Sequence, residues 1–337
     1  GYVYGANMMG SAIGAAAAPF LLDYVGNTRV IMLCSVLGSG TALLLTSDAP
    51  QKRAVQVAGF LIVSVSIVGV IAPPGAITLQ PSPYKPLSHY QRNPDATLGK
   101  PLYNPYSRLD IVYSNTIHSA PGLSMTYFGE LPPQVGLLID GDNLMPVPKA
   151  SAVTTAFAAA MPAAIPLDRS AIPEPDVLIL GLGGGLDVHI ARVLGAKTIT
   201  AIEPNSLIVD VLQGTLRDWA GLAGDPRVNI VHQELRTYAR QTDRRFDMVH
   251  LALNDAYRPV TSGAFTLTEN YVYTVEGFEA YLDLLRDDGI FVVTRWLQNP
   301  PSEDLRTLSL ILAASVSYTH LRAHETVLDL VCRLLLE

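Results

Sequence analysis

Charge is scarce in this 337-residue chain: 16% of its residues are Asp, Glu, Lys or Arg, against 49% hydrophobic. Mean hydropathy is positive, a balance foreign to ordinary soluble domains and suited to membrane segments. Basic residues number 23 against 30 acidic, a formal charge of −7. A nucleic-acid binder needs a basic face to neutralise phosphates, and no Lys/Arg run or aromatic ladder supplies one, so nucleic acid is excluded as a partner. Cysteine is nearly absent. Cys34 and Cys332 stand alone, with no CxxC or Cys/His spacing, which excludes a disulfide framework and a zinc site. No metal is expected.

What is present begins with apolar runs. Gly1 to Leu22, Val30 to Thr46 and Ala54 to Gln80 carry almost no charge, and each has roughly the 17 to 25 residues that cross a bilayer. Residues 1–80 are therefore expected to form three transmembrane helices of a multi-pass inner or plasma membrane protein, with lipid as a partner. "GSAIG" and "GAAAAP" in the first run suit close helix packing in lipid. A cytoplasmic C-terminal domain puts "DYVGNTR" inside and "SDAPQKR" outside, against the Lys/Arg count. Gly1 opens inside an apolar run without an initiator Met, so further N-terminal helices are expected. At the other end, Val316 to Thr326 and Leu330 to Leu336 back-translate to the two ends of a transposase-type sequencing adapter. Residues 316–337 are accordingly read as translated library DNA and set aside, His320, His324 and Cys332 with them.

Between these ends the pattern changes twice. Residues 81–150 are a Pro/Tyr/Asn-rich linker followed by a small β-region, in which "RLDIVYS", "LSMTYFG" and "VGLLIDG" alternate apolar and polar residues between Pro/Gly turns. Asp140 and Asp142 fall in "DGDN", where a hairpin turn accounts for them. Residues 151–175 hold an Ala-rich helix and a second linker. Residues 176–315 alternate strand and helix from "DVLILGLGGG" to "GIFVVTRW". That alternation predicts an α/β fold with a Rossmann-like, doubly wound, mostly parallel sheet, of the kind seen in S-adenosylmethionine-dependent methyltransferases.

The first βα turn carries Gly181, Gly183, Gly184 and Gly185, which permit a tight turn and a close backbone approach by a ligand. The next strand ends in Glu203, where an acid accepts hydrogen bonds from both ribose hydroxyls of an adenosine. The third strand ends in Glu234, positioned for the adenine edge or nearby backbone. A dinucleotide site asks for a third glycine, and Leu186 or Val188 stands there instead. "GxGGGxD", with Asp187, fits a nucleoside sulfonium better, since that ligand has no pyrophosphate to cradle. An NAD site and an empty structural turn are the competing readings. His250 lies in a strand expected to be buried, where a packed histidine outweighs a catalytic one.

Six stretches in order, "NPYSRLDIV", "VGLLIDGD", "VLILGLGGGLDVHIARVLGAKTITAIEPN", "DPRVNIVHQELRTYAR", "FDMVHLALNDAY" and "LTENYVYTVEGFEAYLDLLRDDGIFVVTRW", make residues 103–296 resemble the spermidine synthase (polyamine aminopropyltransferase) superfamily. With apolar helices in front, the chain most resembles its membrane-bound branch with transporter-like helices. The resemblance implies a transferase of polyamine biosynthesis that takes S-adenosylmethionine or its decarboxylated form as substrate, with a polyamine as the second partner and a homo-oligomer as a possible assembly. It implies Gly181, Gly183, Gly185 and Asp187 as the nucleoside-binding turn, Glu203 as the ribose acid and Glu234 near the adenine. On the amine side the chain departs. The expected Asp-Ser-x-Asp run reads Ala252, Leu253, Asn254, Asp255, so the first catalytic acid is replaced and Asp255 is the candidate base or amine anchor; a loop cap is its plainer role. Leu144 stands where a glutamine is expected, and Glu269 and Tyr271 belong to the implied gate loop. Two alternatives remain open: a methyltransferase on the same scaffold, and a non-catalytic nucleoside-sensing or transport-coupled membrane module.

Overall fold

The computed structural model describes residues 1–45, 52–73, 75, 81–124, 126–169, 172–253, 271–296, 301 and 303–321. The chain forms two compact units: Gly1–His89 with Pro101–Arg108, and Tyr90–Lys100 with Leu109–Glu337.

The first unit is built on three helices, α1 (Tyr2–Val25), α2 (Asn27–Leu45) and α3 (Lys52–Ile71). All three are long and apolar enough to cross a membrane. Gly26, with φ of 82°, separates α1 from α2; only glycine takes that left-handed region without strain. α2 and α3 pack on each other through small residues. A Cβ on Gly59 would lie 2.3 Å from Leu43 Cδ2, and one on Gly69 would lie 2.7 Å from Met32 Sδ. Beside them the Ser35 and Ser66 hydroxyls share a 2.8 Å hydrogen bond, which satisfies a buried polar group in an apolar seam. Gly5, Gly10 and Gly14 of α1 face open space, so the close packing expected of the first run is found between the second and third. After α3 come a short helix, α4 (Pro86–Arg92), and two short strands, β1 (Ala96–Leu98) and β2 (Leu102–Tyr103).

The second unit opens with an antiparallel sheet of order β1-β3-β4-β5, in which β3 is Arg108–Ser114, β4 Gln134–Ile139 and β5 Asp142–Pro148. Asp140 and Gly141, with φ of 52° and 72°, make the β4–β5 turn, the hairpin conformation that a DG pair favours. β5 is the strand that the hairpin turn at "DGDN" leads into, and it contains Pro146 and Pro148. As the last strand of the sheet it needs fewer ladder N–H groups, and there proline is tolerated. The strand expected at "LSMTYFG" is absent among its described residues. Leu123 and Tyr127 instead pack against the cluster of Phe157, Met161 and Ile190. The Ala-rich helix is shorter than expected: α5 (Ala152–Ala159) is capped by Ser151, and a 3₁₀ turn, Pro162–Ala164, leads into α6 (Ile165–Arg169). Pro162 cannot continue the α5 ladder.

The remainder is a five-stranded sheet of order β10-β9-β6-β7-β8, parallel throughout. Its elements run β6 (Asp176–Leu180), α7 (Leu186–Val193), β7 (Thr198–Glu203), α8 (Ser206–Gln213), α9 (Arg217–Ala220), β8 (Val228–His232), α10 (Leu235–Gln241), β9 (Phe246–Leu251), α11 (Val275–Leu282), β10 (Leu285–Val293) and α12 (Glu303–Leu321). Leu178, Leu180, Val249 and Leu251 enter a core with Tyr238 of α10, Phe278 and Tyr281 of α11, and Ile311 and Ala314 of α12. Strand alternation sends Ile179 and His250 to the opposite face, the side of α7. Leu178, Ile179 and Leu180 have no exposed surface, and each such side chain contributes about 1.5–3 kcal/mol through burial. The chain proceeds from β6 outward through β7 and β8, then returns to β9 on the other flank of β6. This reversal leaves a crevice beyond the carboxyl ends of β6 and β9, the usual ligand position in such sheets.

Candidate functional site

β6 ends in the glycine turn. Gly181, Gly183 and Gly185 have φ of 100°, 50° and 84°, values that L side chains rarely adopt. The four glycines have different reasons to be there. A Cβ on Gly184 would lie 2.0 Å from the Pro146 carbonyl oxygen, and one on Gly185 would lie 2.4 Å from Leu222. Gly184 thus serves the docking of strand β5 on the turn, and Gly185 caps α7 while admitting Leu222. A Cβ on Gly183 would meet only Met145 Sδ, at 3.8 Å, so this glycine, unlike Gly184 and Gly185, leaves room for a ligand. The docking strand is held further along, where Trp219 Nε1 donates to the Val147 carbonyl at 3.0 Å and Lys149 lies over the Trp219 ring. Leu144, standing where the resemblance expects a glutamine, fills the space beside Gly136.

Glu203 is the last residue of β7 and is buried. Its Oε2 accepts from the Gly183 backbone N–H and its Oε1 from the Asn205 N–H, both at 3.0 Å. Burial raises its carboxyl above the ordinary range, and the hydrogen bonds from Asn205 and Gly183 oppose that shift. One carboxylate therefore joins the ends of β6 and β7.

Glu234 takes a different part. It is the N-cap of α10 and is exposed, with Oε1 accepting from Arg236 N at 3.0 Å and Oε2 from Thr237 N at 2.7 Å. Partial burial pushes its carboxyl up, but the bonds from Arg236 and Thr237 outweigh this and hold it below its usual range. Its side chain is spent on the helix end.

Asp187 sits in the first turn of α7 with 20% of its side chain exposed, and its Oδ1 is 3.9 Å from Nδ1 of His250. His250 is buried in β9, and its Nε2 makes a 2.8 Å hydrogen bond with the Thr294 hydroxyl. Burial raises Asp187, with His250 pulling the other way; burial lowers His250, with Asp187 pulling the other way. Ala252 is buried two residues beyond His250, and its N–H is bonded to the Leu180 carbonyl. Sequence reasoning treated His250 as a packed histidine and missed this partnership. The usable signal was period two along β9, which sets His250 and position 252 on one face. Asp255, Asn254 and Glu269 lie outside the described residues.

The glycine turn, Glu203, Asp187 and His250 thus gather at the crevice between the two halves of the sheet, and residues 163–316 match the family model for the spermine/spermidine synthase domain. This segment is similar to that family. A polyamine aminopropyltransferase of Streptococcus uberis is 32% identical over 124 residues, covering 36% of this chain and 40% of the relative. Polyamine aminopropyltransferase 1 of Pseudomonas aeruginosa is 28% identical over 133 residues, covering 39% and 43%. The chain thus spans about two fifths of the length of these curated relatives. A solved spermidine synthase from Thermotoga maritima aligns at 19% identity over 65% of this chain and 62% of its own, with a TM-score of 0.42.

Proposed function

We propose that the parallel-sheet domain binds S-adenosylmethionine or its decarboxylated form and transfers an alkyl group, an aminopropyl group in the decarboxylated case, to an amine. The observation that carries this reading is the Gly183–Glu203 pair. A ligand-ready glycine and a buried carboxylate sit 3.0 Å apart through N–H···O, one allowing a nucleoside to approach the protein backbone and the other offering lone pairs to ribose hydroxyls. Gly181 and Gly185 shape the turn, and Gly184 seats β5 over it. The family match of residues 163–316 supports the same chemistry. Displacement at a carbon beside a sulfonium has a good leaving group built in. The protein then needs to align the attacking nitrogen and provide a site for its proton. Asp255 is the candidate for anchoring and aligning the amine, with a polyamine as the acceptor class.

The three apolar helices are proposed to anchor this enzyme as a multi-pass membrane protein with its catalytic domain in the cytoplasm. Their length, their hydropathy and their outward-facing apolar side chains support it. Calorimetric titration of the whole chain in detergent with S-adenosylmethionine, decarboxylated S-adenosylmethionine and methylthioadenosine tests the ligand. Tightest binding of the decarboxylated form is expected. Equal or better binding of S-adenosylmethionine redirects the reading to methyl transfer, and silence with all three ends it.

A further inference from the structure

Three polar side chains from three different segments meet at the crevice between β6 and β9. Asp187 comes from the first turn of α7, His250 from β9 and Thr294 from the residue after β10. The backbone aligns them: His250 pairs in register with Val292, and the Thr294 N–H donates to the Leu251 carbonyl. When Thr294 gives its hydroxyl hydrogen to Nε2 of His250, the ring proton lies on Nδ1, the nitrogen that faces Asp187 Oδ1 at 3.9 Å. Glu203 and Glu234 have both carboxylate oxygens engaged by backbone amides. Asp187 has no such engagement among the described residues, and its side chain remains partly exposed at the mouth of the crevice.

We propose that Asp187 accepts the proton of the attacking nucleophile, with His250 and Thr294 as positioning residues behind it. The inference rests on the reading of this site as a sulfonium-dependent transferase. In the step, the nitrogen lone pair forms a bond to the carbon beside sulfur, and the carbon–sulfur bond breaks. Its electron pair stays on sulfur as a neutral thioether, and the N–H proton moves to an Asp187 oxygen. A carboxyl raised by burial is better matched to that task near neutral pH than a solvated one. Position 252 projects from the same strand face as His250, two residues further toward the crevice. A carboxylate placed there would therefore address the same space.

The test uses the whole chain in detergent, with methylthioadenosine binding as one readout. The other is single-turnover transfer from decarboxylated S-adenosylmethionine to a panel of short primary amines and diamines. Asp187→Asn should lower transfer about 100-fold or more, the usual range for losing a general base, and at least about tenfold more than it lowers methylthioadenosine affinity. Adding Ala252→Asp to that variant should restore transfer at least about tenfold. His250→Leu should lower kcat with the amine KM unchanged, as expected of a group acting through another. Full-rate transfer by Asp187→Asn overturns the inference alone, as does a loss of nucleoside affinity as large as the loss of transfer, or failure of the Ala252→Asp addition to restore any rate. Wild-type binding without any transfer overturns the transferase reading together with this inference, and absence of wild-type binding overturns the nucleoside reading beneath both.

Discussion

Glu203 joins two strand ends with one carboxylate, so its substitution should be felt in the unliganded protein as well as in binding. Glu203→Gln turns an amide NH₂ toward either the Gly183 or the Asn205 N–H, two donors that Glu203 now accepts at 3.0 Å. An unsatisfied buried donor costs about 1–3 kcal/mol. The expected outcome is a lower melting temperature together with weaker methylthioadenosine binding, read by differential scanning fluorimetry and calorimetry. The glycines separate more sharply. Gly184→Ala drives a methyl into a backbone carbonyl 2.0 Å away, which cannot rotate aside, and overpacking of that kind costs about 1–3 kcal/mol or more. Gly183→Ala meets only a flexible thioether at 3.8 Å, with about 1–2 kcal/mol of strain at its positive φ. Gly183→Ala should therefore lower nucleoside affinity in a protein that still folds, whereas Gly184→Ala should lose folded protein. All four glycines were legible in the sequence as one ligand-facing motif. Which of them faces packing was not, because the docking strand lies some forty positions earlier in the chain.

At the scale of elements, the α2–α3 pair is held by small residues and one hydroxyl pair. With Cys34 changed to Ala, the double variant Ser35→Cys, Ser66→Cys should form an intrachain disulfide on mild oxidation, since the two hydroxyl oxygens are 2.8 Å apart. A gel that shows the oxidised chain migrating like the reduced one argues against this pairing. The Rossmann elements have their own fastener. Asp225, just before β8, accepts from Arg192 Nε of α7 at 2.9 Å and from Arg227 at 2.8 Å. The Arg227 hydrogen bond lowers its carboxyl to about 2, with burial opposing and Arg192 assisting. A depressed carboxyl stabilises the fold above its unfolded value, near 3.8, and that stability is lost as pH falls toward 2. Asp225→Asn should thus cost about 1 kcal/mol at pH 7, a figure reduced for the exposure of Arg227. The gap to wild type should close near pH 2 in thermal melts. The parallel strands were legible because buried central strands read as continuous apolar runs. The prolines of β5 weaken its strand pattern, and "LSMTYFG" alternates like a strand although Leu123 and Tyr127 pack on α5 and its neighbours. Periodicity records which side chains are buried, without recording against what.

For the whole molecule, the apolar first unit should keep the chain in the membrane pellet after alkaline carbonate extraction of expressing cells. Recovery in the supernatant would remove the anchoring proposal. Length and hydropathy alone made this expectation possible, since a run of about 20 apolar residues matches the bilayer core whatever follows it. The same is true of the parallel sheet and of Glu203, whose distance from the glycine turn is dictated by one strand–helix–strand unit. Those properties are local, carried by composition and spacing within a few tens of residues. The meeting of Asp187, His250 and Thr294 is of another kind. Residues far apart in the chain become neighbours only when β9 returns beside β6 and β10 pairs outside β9. The sequence by itself determined that a glycine turn follows one strand, that an acid ends the next, and that apolar spans precede both. The tertiary structure alone decided which carboxylate a buried imidazole stands behind, because strand order, unlike strand content, is set by long-range pairing.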